Sequence, residues 1–115
     1  MESLKLKDEA SNLWVRAVTY IYQDIPKNKA IYKNHLDETL VSLMECICTA
    51  NIFDGQLRLK AQREALRNIA MIEIYLNILL KYNLLKSKEY KIFVNKLITI
   101  RMMIYGWINQ DEKKK

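Results

Sequence analysis

At 115 residues, 50% of them hydrophobic, the chain is long enough for one domain with a modest core, spanning residues 1–115, and too short for two. Two glycines and one proline are too few turn residues for an all-β domain, which leaves helices joined by short breaks. The formal net charge of +6 is unevenly placed: residues 1–54 carry six Lys/Arg against eight Asp/Glu (net −2), residues 55–115 carry thirteen against five (net +8), and a half-chain this basic fits either a polyanionic partner or a well-solvated, lysine-rich surface.

Four segments have helical period. The first runs from about Leu4 to Asp24, with Leu6, Ala10, Leu13, Trp14, Ala17 and Ile21 on one face, and ends at Ile25-Pro26 because a residue before proline avoids helical geometry. The second runs from about Lys29 to Ile52 on the stripe Tyr32, Leu36, Leu40, Leu43, Ile47 and Ala50, and closes at the Asp54-Gly55 turn signal. The third, from about Leu57 to Tyr82, turns Ala65, Ile69, Ile72, Leu76 and Leu80 inward. The fourth, from about Ser87 to Asn109, has Ser87 as its N-cap and the stripe Tyr90, Phe93, Leu97, Ile100, Ile104 and Ile108, and leaves Gln110 to Lys115 as a frayed charged tail. Four helices of roughly 30 Å with connections this short predict an all-α, up-down-up-down antiparallel four-helix bundle.

The third helix carries a second stripe opposite its inner face. Its first turns are basic, with Arg58, Lys60, Arg63 and Arg67 spaced so that at least three of them form a continuous patch that suits phosphate oxygens. The alternative is a solvated helix start with Glu64 as a local partner; cations near a helix N-terminus oppose the helix dipole, which favours the binding use. The later turns are apolar. Met71, Ile74, Tyr75 and Ile78 read as an oligomer interface, unless the fourth helix wraps far enough round to cover them. Val41, Cys48 and Ile52 on the second helix form a smaller outward set. Glu73 and Arg101 are placed to pair inside the bundle, where the pair would fix register; solvated placement is the other reading.

Little in the chain suggests catalysis. Cys46 and Cys48 point to opposite sides of one helix, so neither a metal pair nor a disulfide is expected, and reduced cysteines fit the cytoplasm. His35, the single histidine, stands beside Asp37 and Glu38 with no third orienting group for a Cys–His pair. There is no Gly-rich phosphate loop and no Glu-x-x-His metal pair, so neither cofactor nor metal is expected. Met1 to Lys7 lacks a signal-peptide core and Ile69 to Leu80 is too short and too interrupted for a membrane span, so a cytoplasmic, membrane-free protein is expected.

Several short segments, in order, carry a resemblance over nearly the whole chain: Ile25-Pro26-Lys27 after the first helix, Ala50-Asn51 closing the second, a basic stretch opening the third, Asn83 to Tyr90 leading into the fourth, and Gly106-Trp107-Ile108 near the end. The sequence resembles the accessory variability determinant (Avd) proteins of diversity-generating retroelements, within the bacterial four-helix-bundle proteins first noticed in rRNA intervening sequences. The intervening-sequence relatives usually carry an Asn-Ile-Ala-Glu-Gly-like segment where this chain has Asn51-Ile52-Phe53-Asp54-Gly55, a partial match that keeps them as the alternative. The Avd resemblance implies a ring-like, pentameric assembly of basic bundles. It also implies a non-catalytic accessory protein that binds a reverse transcriptase and its template RNA during mutagenic cDNA synthesis. The intervening-sequence resemblance implies a structural or RNA-associated role.

Overall fold

The structure, a computed structural model, describes residues 2–114, with side chains from residue 4 onward. Four helices account for most of it: α1 (Glu2–Tyr20), α2 (Ala30–Ile52), α3 (Gly55–Lys81) and α4 (Ser87–Lys113). No strand occurs among the described residues. Each helix packs against its chain neighbour and α4 returns to α1, closing a four-sided bundle whose long axis extends 49 Å. Cross-helix contacts fix the direction of each neighbour. Ser42 meets Asn68 and Cys46 meets Glu64, so α2 and α3 run oppositely; Arg16 near the end of α1 meets Glu89 at the start of α4.

The core positions explain the packing. Buried residues recur at alternating steps of four and three: Leu36, Leu40, Leu43, Ile47 and Ala50 on α2, and Phe93, Leu97, Ile100 and Ile104 on α4. That near-heptad rhythm keeps one seam of each helix facing its neighbours, as knobs-into-holes packing requires. It also corrects the inner face of α3. After Ala65, Ile69, Ile72 and Leu76 the next step of three lands on Leu79, which is fully buried, while Leu80 rotates to the margin.

The helix ends depart from the sequence reading where polar contacts, not apolar period, set them. α1 stops at Tyr20; Tyr22–Asp24 and Lys27–Lys29 form two 3₁₀ turns, and Ile25 between them is extended (φ −94°, ψ 116°), as a residue before proline must be. α3 begins earlier than expected, at Gly55, whose φ of +60° is the left-handed geometry glycine adopts without strain. Ser87 is the first helical residue of α4, not its cap: Lys86 is the cap and Tyr90 donates back to its carbonyl at 2.9 Å. The expected frayed tail is helical to Lys113. No helix among the described residues is long and apolar enough to cross a membrane.

Candidate nucleic-acid interface

Ala61, Gln62, Ala65 and Ile69 bury the inner seam of α3, and helical period then places Lys60, Arg63 and Arg67 at steps of three and four on the exposed face. None of these three cations lies within 4.0 Å of a carboxylate among the described residues. Glu64, the anticipated local partner, instead faces the Cys46 sulfur at 3.9 Å. Burial, followed by that carboxylate, pushes the Cys46 thiol above its ordinary range. Lys60, Arg63 and Arg67 therefore form an exposed cationic row with no ion-pair partner among the described residues.

Arg58 leaves this patch. Its Nε donates to the Ala50 and Phe53 carbonyls, each at 2.9 Å, so it satisfies the C-terminal end of α2. Its Nη1 reaches Asp111 at 3.2 Å, and the guanidinium lies over the Trp107 ring, 5.4 Å from its centroid. The buried Gln62 amide donates to the other Asp111 oxygen at 3.1 Å. This clamp holds α4 helical past Ile108, where the apolar stripe ends. With Nε and Nη1 engaged and its plane set over Trp107, Arg58 is committed to the contact between α2 and α4, and the exposed row is Lys60, Arg63 and Arg67.

The expected oligomer stripe divides as well. Ile74 is 50% exposed, but Met71, Tyr75 and Ile78 are half-buried. Tyr75 packs against the core and stacks on His35, with ring centroids 6.0 Å apart and planes 15° from parallel, so α2, not α4, covers it. The other partner of His35 is Glu38, 4.0 Å away. Larger apolar surfaces lie elsewhere. On α4, Ile98, Met102 (68% exposed) and Tyr105 form a ridge at steps of four and three. Between the start of α1 and the end of α2 runs an apolar groove lined by Leu4, Ala10, Val41, Met44, Cys48 and Ile52. The α2 half of this groove is legible in the sequence as the outward set Val41, Cys48 and Ile52, whereas the α4 ridge lies opposite a regular inner stripe that already accounts for that helix.

Cross-helix polar pairs complete the frame. Glu73 and Arg101 do pair, by a hydrogen-bonded salt bridge between α3 and α4. Arg16 holds Glu89 through two bonds of 2.6 and 2.8 Å, and that hydrogen bond raises the already high Arg16 pKa. One Asp37 oxygen accepts from both Trp14 Nε1 (2.7 Å) and the Tyr22 hydroxyl (2.8 Å); burial, with that bond, holds the phenol well above its ordinary value. Cys46 is buried and Cys48 exposed, both as free thiols.

No protein-family model matches the sequence, and no curated protein matches it either. A solved structure does: the crystal structure of a protein of unknown function from the S23 ribosomal protein family of Bacteroides thetaiotaomicron has a TM-score of 0.84, covering 95% of this chain and 99% of that one. At 17% identity the likeness is one of fold, and it places this chain's helices in the same bundle architecture end to end.

Proposed function

We propose that this chain is a non-catalytic accessory protein of a diversity-generating retroelement, binding the element's reverse transcriptase and template RNA as a cytoplasmic, ring-like pentamer. The observation that carries the reading is the row Lys60, Arg63 and Arg67, three cations on one exposed helix face without a carboxylate partner. Such a row offers phosphate contacts that give affinity without reading sequence. The assembly draws support from the apolar ridge on α4 and the apolar groove between α1 and α2. They lie on different faces, so copies joined ridge to groove make a head-to-tail contact that closes into a ring when the rotation allows.

The test is co-purification of the reverse transcriptase and its RNA with the wild-type protein and with Arg63→Glu/Arg67→Glu. The double variant should keep its helicity and lose most of the bound RNA or polymerase; undiminished binding would remove this face from the account. Light scattering on the wild type checks the assembly, and a monomer at working concentration would dispose of the ring.

A second reading is favoured by one finding: the structurally similar protein is described as a member of the S23 ribosomal protein family. On that reading the chain is an intervening-sequence-type bundle with a structural or RNA-associated role. Sequencing the flanking DNA separates the two. A neighbouring reverse-transcriptase gene with template and variable repeats supports the first, and a position inside an rRNA gene supports the second.

A further inference from the structure

The end of the bundle where α1 and α3 finish and α2 and α4 begin gathers a second cationic surface. Lys27, Lys29 and Lys33 come from the turn into α2; Lys81, Lys86 and Lys88 come from the passage between α3 and α4. Contacts across the end tie these segments together. Tyr32 and Tyr82 meet hydroxyl to hydroxyl at 3.3 Å with ring centroids 5.5 Å apart, and Lys29 Nζ sits 4.3 Å from the centroid of the Tyr82 ring. On the opposite side of the same end, the Arg16 guanidinium lies 4.8 Å from the centroid of the Tyr20 ring while it grips Glu89.

None of the six lysines lies within 4.0 Å of a carboxylate among the described residues. Of the acids nearby, Glu89 is paired with Arg16, which leaves Asp24 and Asp37 as local counter-charges against the six lysines. Lys29, Lys33 and Lys88 also sit in or beside the first turns of α2 and α4, where a cation opposes the helix dipole. Apart from the contact of Lys29 with the Tyr82 ring, folding gains nothing from that arrangement, whereas a polyanion resting on it would. The tyrosines define which polyanion. Tyr20 and Tyr82 are 53% and 45% exposed, and each has a cation over its ring. Half-exposed aromatic rings set among cations suit unstacked bases flanked by phosphates.

We infer that this lysine- and tyrosine-rich end of the bundle is a binding surface for single-stranded nucleic acid, separate from the cationic face of α3. It uses none of the residues of that face and does not depend on the retroelement assignment. Phosphates lie on the lysines, and bases stack on Tyr82 and Tyr20.

Fluorescence anisotropy of a labelled single-stranded oligouridine RNA, titrated over a range of salt, reads this directly. Replacing Lys29, Lys86 and Lys88 together by glutamine should weaken binding about tenfold or more and flatten the slope of log K against log salt by about 2, near 0.7 per lost phosphate contact. Tyr82→Leu should weaken binding about fivefold or more with the slope unchanged, because stacking releases no counterions. All four positions are at least partly exposed, so thermal melts should stay near wild type. The end variants and Arg63→Glu/Arg67→Glu touch different residues, so the two surfaces fail separately. Unchanged affinity and slope in the triple variant would overturn the inference. So would wild-type protein that ignores the oligonucleotide but binds vesicles containing phosphatidylserine, which would assign the surface to anionic lipid.

Discussion

A guanidinium is planar and presents five N–H donors in a fixed fork, whereas an ammonium is a point charge on a flexible stem. Arg58 uses that difference: its Nε–H is shared by two carbonyls at the end of α2, its Nη1 serves Asp111, and the plane covers Trp107. A lysine keeps the charge and cannot hold those partners together. Arg58→Lys should therefore lower stability by about 1 kcal/mol, since the carbonyls at the end of α2 lose their donor, and urea unfolding measures it. The same substitution should leave the salt dependence of RNA binding where it was. A variant of undiminished stability with a shallower salt slope would return Arg58 to the binding face. Its role was hidden in the sequence because Asp111 is 53 residues away and lies beyond the last apolar position of its helix. Its charge groups it with Lys60, Arg63 and Arg67, although helical period already turns it away from them, two residues before Lys60 and five before Arg63.

Among the connections, the one between α3 and α4 is the most constrained. Leu84 N–H donates to the Leu79 carbonyl (2.9 Å) and Asn83 N–H to that of Leu80 (3.0 Å), the paired bonds of a Schellman motif, with Asn83 at φ 60°. Asparagine tolerates that geometry better than most residues and glycine better still. Asn83→Gly should be neutral or stabilising by up to about 1 kcal/mol. Asn83→Val should cost about 1–2 kcal/mol, because its branched Cβ meets the carbonyl; thermal melting of the pair decides, and equal midpoints would mean that the turn is not held left-handed in solution. The helices themselves were legible because apolar residues at steps of three and four admit one burial solution, and the buried positions of α2 and α4 follow it. Their ends were less so. Tyr20, Lys86 and Lys113 end or begin helices through 3₁₀ turns, backbone bonds and the Asp111 clamp, none of which leaves an apolar period to read. The row Lys60, Arg63 and Arg67 was legible for the same reason as the core: it occupies one face of one helix. The lysine-rich end was not, because it is assembled from two turns some fifty residues apart.

At the scale of the whole molecule, the chain folds its charge asymmetry into two hairpins: α1 and α2 belong to the net −2 half, α3 and α4 to the net +8 half. In the proposed ring, the ridge Ile98, Met102 and Tyr105 of one copy seats in the α1–α2 groove of the next, so a basic hairpin meets an acidic one and the contact is attractive at long range as well as apolar at its centre. Cys48 lines that groove and is exposed in the single chain, which makes it a reporter; Cys46 is buried and its thiol is held above its ordinary range, so it stays silent in the native protein. A thiol reagent should therefore modify Cys48 quickly in dilute protein and slowly in concentrated protein, as mass action fills the groove. Met102→Glu sets a carboxylate in the middle of the ridge, where burial against an apolar groove is costly. It should restore fast labelling at every concentration and reduce the mass seen by light scattering, with helicity unchanged because Met102 is 68% exposed. Labelling of wild-type Cys48 at one rate across all concentrations, together with an unaltered mass for Met102→Glu, would mean that neither surface joins copies of this chain.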